Sequence, residues 1–234
     1  MNKLLTTLIA TSVAIMSFAQ TANSVEFKVG VTGQSSAYYA NVEEKLKDSG
    51  RLSKKEAAAA FSYMSVFSEV SFDEALGLTI GVEYSPESIK LNKASRVIHT
   101  SAHERVLPAN AAEETGTQEI EAAFNDLMSI YVAIPVMGSG LHVKAGYMTA
   151  KLITKETLAT GSTYGNKTVE GGTLGMFYDG EIGSNLFYRV EGAYNAFENI
   201  TLKGSEVGGT TGSFNEITAE LAGIAAKASI GYKF

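Results

Sequence analysis

The sequence predicts an all-β chain, an eight-stranded antiparallel up-and-down barrel. Three observations carry that expectation. Apolar and polar residues alternate with a period of two through eight segments, the connections between segments are short and long in turn, and the polar face is built mainly of small residues.

The chain has 234 residues, enough for one domain. Its start reads as a secretory signal peptide over residues 1–19, leaving 20–234 as the barrel domain. Met1-Asn2-Lys3 supplies the positive region, and Leu4 to Met16 is an apolar stretch too short to span a bilayer. Ser17-Phe18-Ala19 offers the small residues of a cleavage site after Ala19, with Ala22 as the alternative. Cysteine is absent, so stability has to come from burial and strand pairing. No second apolar run of about 18 residues follows, and no helical anchor is expected. The net charge of −6 becomes −7 once Lys3 leaves with the signal. A mildly acidic chain of mixed sign has no basic stripe for nucleic acid.

The strands follow in order. Val25, Phe27, Val29 and Val31 alternate with Glu26, Lys28, Gly30 and Thr32. Met64, Val66, Val70 and Phe72 share a face opposite Tyr63, Ser65, Phe67 and Glu69. Leu76, Leu78, Ile80, Val82 and Tyr84 alternate with Gly77, Thr79, Gly81 and Glu83. Met128, Ile130, Val132 and Ile134 lie opposite Ser129, Tyr131 and Ala133. Leu141, Val143, Ala145 and Tyr147 alternate with His142, Lys144, Gly146 and Met148. Leu174, Met176 and Tyr178 stand opposite Gly175 and Phe177. Tyr188, Val190, Gly192 and Tyr194 alternate with Arg189, Glu191, Ala193 and Asn195. The last strand carries Ile224, Ala226, Ala228, Ile230, Tyr232 and Phe234 on one face, and Ala225, Lys227, Ser229, Gly231 and Lys233 on the other. Successive side chains of a strand point to opposite faces, so each segment is apolar on one side only.

Short connections fall at Asp73 to Ala75, Val136 to Gly140 and Asp179 to Asn185. Long ones run from about Ala40 to Ala59, Ser85 to Glu119, Ile153 to Glu170 and Glu198 to Ala222. Short periplasmic turns and long extracellular loops are the layout of a transmembrane barrel. In the first long loop Ser53 and Glu56 read as a capping box before a helix over Ala57 to Ala60. Gly50 would end a preceding turn from Val42 to Asp48, and a solvated charged loop is the equal alternative.

Alternation alone does not say which face meets water, but the charges do. A cation on the lipid face at the bilayer midplane costs about 2–4 kcal/mol, which sets Arg189 and Glu191 inward and Tyr188 and Val190 outward. The same phase gathers Glu69, Glu83, Lys144, Arg189, Glu191 and Lys227 into an expected network of ion pairs in the lumen. Asp126 breaks the rule. In phase with Ile134 it would face lipid, so it sits either at the outer rim or on a bulge that turns it inward.

The chain ends Ala228-Ser229-Ile230-Gly231-Tyr232-Lys233-Phe234. Phe234 with Tyr232 and Ile230 at alternate positions resembles the C-terminal signature of outer-membrane barrels. With the segments Ser62 to Phe72, Val143 to Tyr147 and Tyr188 to Gly192, the chain is similar to the small OmpA, OmpX and OmpW barrels over nearly its whole mature length. That resemblance implies outer-membrane lipid as the solvent and the barrel-assembly machinery as a partner. It fixes no ligand and no external partner.

Catalytic, metal-binding and cofactor-binding constellations are not expected. His99 and His103, four apart, would share a helix face that suits a metal, with Glu104 able to join as a ligand, but they sit in a long loop, where ordinary polarity explains them. The same stretch has the residue types of barrel lipases, which keep such residues on the rigid wall instead. His142 reads as a packed lumen histidine. Glu69, Glu83 and Glu191 resemble a glycosidase acid–base set less than they resemble partners for the basic residues of the same lumen. The sequence therefore predicts a non-enzymatic envelope barrel with a closed or narrow lumen. The alternatives are a narrow path for small hydrophobic solutes, lined by Tyr63, Phe67, Tyr131 and Phe177, or a lipid-modifying barrel enzyme.

Overall fold

The computed structural model describes residues 25–45, 50, 52–72, 77–90, 94–99, 115–136, 139–157, 163–207 and 214–234. These form eleven strands: β1 (Val25–Lys45), β2 (Leu52–Phe72), β3 (Leu78–Ser85), β4 (Ile89–Lys90), β5 (Ala94–His99), β6 (Thr115–Pro135), β7 (Leu141–Thr157), β8 (Lys167–Ile182), β9 (Leu186–Phe197), β10 (Ile200–Val207) and β11 (Phe214–Lys233). The expected signal peptide lies outside the described residues.

Eight of the strands make an antiparallel ring. β1, β2, β3, β6, β7, β8, β9 and β11 pair in that order, and β11 pairs back onto β1. β4 and β5 continue the line of β3 along β6, and β10 continues β9 along β11. The register of β1 with β11 runs unbroken from Lys28↔Lys233 to Lys45↔Glu216. A closed ring leaves no edge in its wall.

The two faces are sorted as the alternation requires, with the burial of a soluble barrel reversed. Leu174, Val190 and Ile224 face out at 58%, 58% and 65% exposure. Glu69 and Arg189, one position out of phase, are 1% and 3% exposed. Exposed Tyr178, Tyr188, Tyr232 and Phe234 ring the short-turn end, while Tyr39, Tyr147 and Tyr194 are exposed farther along the wall. Tyr188 and Tyr194 lie on one strand, about 16 Å apart along the barrel axis at the usual rise and tilt.

Of the expected short connections, Asp73 to Ala75 lies outside the described residues, and that from Asp179 to Asn185 is shorter than expected, because β8 runs on to Ile182. β8 and β9 turn through Gly183, whose φ of +81° is a left-handed conformation that a side chain would strain. The long connections are another matter. Strand, not loop, fills much of Ala40 to Ala59, because β1 runs to Lys45 and β2 starts at Leu52. Ser53 and Glu56 begin no helix; they sit in β2 opposite Glu44 and Asn41 of β1. A long neighbouring strand offers a ladder of hydrogen bonds, and one capping box cannot compete with it. The same holds for β4 and β5, for the upper part of β7, and for β10 with the start of β11.

Asp126 sits on a bulge, with φ +53°. Asn125 pairs with Lys151 and Met128 with Thr149, so β6 carries one extra residue there. The bulge does not send the carboxylate into the lumen. Asp126 accepts from Tyr84 Oη at 3.0 Å and from Lys151 Nζ at 2.9 Å, and the Lys151 side chain is mostly exposed.

With no native cysteine, single cysteines report each face cleanly. Nitroxides on V190C, L174C and I224C are expected to be accessible to lipid-dissolved oxygen in reconstituted bilayers, and labels on T32C and S229C are not. The reverse order would mean that the faces are assigned the wrong way round.

Candidate functional site: the barrel interior

The interior is filled in layers, and the six charged residues singled out from the sequence occupy two of them. Nearest the short turns, the Arg189 guanidinium lies between two carboxylates. Its Nε and Nη2 donate to Asp179 at 2.6 and 2.8 Å, and its Nη1 and Nη2 donate to Glu69, the latter at 2.9 Å. This is the planar fork geometry for which arginine is suited. Its Cζ lies 3.8 Å from the centre of the Phe177 ring, which His142 also stacks on, at 4.7 Å. Lys28 Nζ completes the layer, 3.4 Å from Asp179 and 3.1 Å from Glu26.

The second layer is a square of lysines and glutamates. Lys144 Nζ donates to Glu191 at 3.0 and 3.2 Å and to Glu83 at 3.4 Å. Lys227 Nζ lies 2.8 Å from Glu83 and 3.5 Å from Glu191. Ser65 Oγ donates to Glu83 at 2.7 Å. Tyr131 ties the layers together, because its hydroxyl donates to Glu69 at 2.6 Å while Lys144 Nζ sits 3.9 Å above its ring. Gly81 makes room for that ring; a Cβ there would come within 2.4 Å of Tyr131. Four cations thus face five carboxylates, of which Glu26 is the most exposed. A buried charge is tolerable only when paired and hydrogen-bonded in this way.

Above the lattice lies a cavity of about 20 Å³, lined among others by Gln34, Tyr63, Ser65, Glu83, Asn195 and Lys227. It has room for roughly one water molecule. Gln34 Oε1, buried beside it, has no protein partner. Beyond the cavity the interior turns apolar. Tyr38 stacks on Phe61 at 5.4 Å, and Phe124 on Phe197 at 5.4 Å. Ile89, Met148, Leu152, Val169 and Ile200 close around them.

Lys28 and Asp179 escaped the sequence reading of the network. Lys28 was in phase with the lumen and legible as such. Asp179 was assigned to a turn, whereas β8 continues to Ile182. The apolar layer escaped it too, since Phe124 joins only through the bulge. Tyr63, Phe67, Tyr131 and Phe177 are all buried inside, each against neighbouring side chains. Ile230, Tyr232 and Phe234 face out. His99 ends β5 opposite Thr115, while His103 and Glu104 lie outside the described residues. Among the described residues no three His, Cys, Asp or Glu side chains are grouped to hold a metal.

No protein-family model matches the chain, and no curated protein does. Solved structures are similar to it in chain trace. The outer membrane protein OprG from Pseudomonas aeruginosa shares 11% identity, covers 90% of this chain and 96% of its own, and has a TM-score of 0.44. The outer membrane protease OmpT from Escherichia coli shares 9% identity, with coverages of 91% and 97% and a TM-score of 0.43. Ail, the attachment invasion locus protein of Yersinia pestis, shares 12% identity, with coverages of 88% and 99% and a TM-score of 0.32.

Arg189→Ala would leave Glu69 and Asp179 buried without their main counter-charge. Removing one partner of a buried pair costs about 3–5 kcal/mol. Urea unfolding in detergent micelles, followed by circular dichroism because the chain has no tryptophan, is expected to show a loss of that size. Lys28→Ala, at the partly open mouth, is expected to cost clearly less. Equal effects would show that the inner layer is not the stabilising one.

Proposed function

We propose that the chain is a non-enzymatic barrel of the bacterial outer membrane, with a closed lumen and with its long hairpins outside. Outer-membrane lipid is the solvent of its wall, and the barrel-assembly machinery is the partner that Ile230, Tyr232 and Phe234 would engage. The observation that carries this reading is the filled interior. An ionic lattice, a cavity for about one water and a stacked aromatic layer lie in series. Eight strands give an interior just wide enough for side chains to fill. A barrel plugged in this way passes no wide stream of solute, so its work falls to the wall and to the outer hairpins.

A second reading rests on the apolar layer, whose residues would suit a small hydrophobic solute entering from the outer end. Uptake of a hydrophobic fluorescent probe that is the same in cells with and without the chain would dispose of it.

In planar bilayers the refolded chain is expected to give no large, steady openings. Steady conductance on the scale of a general porin would overturn the closed lumen. On gels the unboiled protein is expected to migrate differently from the boiled one, as a folded barrel does.

A further inference from the structure

Two buried oxygens at the level of the interior cavity are left over by the hydrogen bonding around them. Gln34 and Ser36 are successive inward residues of β1, 6% and 2% exposed. Among the described residues, neither Gln34 Oε1 nor Ser36 Oγ has a hydrogen-bond partner. Gln34 belongs to the wall of the cavity. A buried acceptor left dry and unpaired is destabilising, and folded proteins seldom keep one.

The strand register explains the surplus. Gln34 stands directly opposite Lys227 of β11 on one side and Tyr63 of β2 on the other, and all three line the cavity. Side chains facing each other across neighbouring strands are within reach of one another. Lys227 nevertheless turns away from Gln34, because carboxylates draw its ammonium toward the short-turn end. Its Nζ lies 2.8 Å from Glu83 and 3.5 Å from Glu191. An ammonium has three N–H bonds, so two carboxylates leave one over. The cavity thus has an acceptor in want of a donor on one strand and a donor with a hydrogen to spare on the next.

The wall also decides what fits between them. About 20 Å³ takes one water and nothing larger. Lys227 on the wall disfavours a cation and Glu83 an anion. Ser129, Thr173 and Asn195 add neutral polar groups. Cavities that stay empty are apolar, and this one is not.

We propose that the cavity is a binding site for one water molecule, which donates to Gln34 Oε1 and accepts from Lys227 Nζ. The water completes the lysine–glutamate square on its outer side and ties it to the first wholly uncharged layer of the lumen.

The test reads the oxygen-17 relaxation dispersion of water around the full mature chain refolded in detergent micelles. That signal counts waters held longer than surface water and ignores exchanging hydroxyl protons. Gln34→Met keeps the length of the side chain and removes its oxygen, and is expected to lower the dispersion amplitude by one water. Ser129→Val fills the cavity from β6 and is expected to lower it equally. Thr32→Val changes the inward residue of β1 next to Gln34, whose hydroxyl already pairs with Ser229 at 2.8 Å, and is expected to leave the amplitude unchanged. Heat-modifiable gel mobility checks that each variant is folded, and either cavity variant suffices if the other is not. An unaltered chain without dispersion overturns the proposal, since its cavity would be dry or freely exchanging. Undiminished amplitude in the folded cavity variants overturns it as well. So does an equal drop in Thr32→Val, because the lost water would then lie elsewhere.

Discussion

Every amide of a chain crossing hydrocarbon has to be satisfied within the protein, since each orphan there costs several kcal/mol. The pairing of β1 with β11 meets that demand. It joins the first and last strands and leaves the wall without an edge through the region where the outward residues are apolar. The same pairing extends well beyond it. β1 has 21 residues, about 55 Å along the axis at ordinary rise and tilt, against an apolar band about 25 Å tall. A ladder that long has to leave the lipid, and it carries β2, β10 and β11 out with it. Much of what the sequence offers as loop is therefore strand.

Leaving the lipid changes what the wall separates, and the residues change accordingly. Near the short turns the outside is Leu174, Val190 and Ile230, and the inside is Glu69, Arg189 and Lys144. Near the hairpins the outside is Lys54, Glu56, Lys151 and Glu170, and the inside is Tyr38, Phe124, Leu152 and Phe197. The chain is a barrel of reversed burial in one half and a soluble barrel in the other. Apolar surface goes wherever water is not, which is lipid below and the interior above. Between the halves, the ionic lattice and the apolar layer share one narrow bore. Neither leaves a passage, because an eight-stranded ring has no volume to spare.

The ring itself was legible because its signal is periodic and does not depend on distant residues. Each of the eight segments carries its alternation locally, and Arg189 with Glu191 fixes the phase on energetic grounds alone. The partners within the lumen were legible only as a set. That Arg189 would take Glu69 and Asp179, rather than Glu83, depends on the stagger of the strands, which no local pattern encodes. Three features resisted for a common reason. The strand at Ser53 to Ala60, the long outer hairpins and the inward turn of Phe124 all arise from pairing with residues far away in sequence. There, local propensity was overridden by an available ladder.

Asp126 shows how that override is built. Below it, β6 sends Met128, Ile130, Val132 and Ile134 outward; with the same phase kept, Phe124 would follow them out and Asn125 would enter. The extra residue at the bulge reverses this. Phe124 enters the aromatic layer opposite Leu152, and Asn125 lies opposite Lys151 on the outer side. The other strands change the character of their inner face by changing residues at constant phase, as β2 does from Glu69 and Ser65 to Tyr63 and Phe61. β6 changes phase instead. The left-handed backbone of a bulge is costly for a residue other than glycine, and aspartate is among the few that adopt it readily. Here its carboxylate is held by Tyr84 and Lys151 on the outer surface, about three residues beyond Tyr147 along the wall. A residue that looks like a fault in a lipid-facing strand is thus the point at which that strand stops facing lipid.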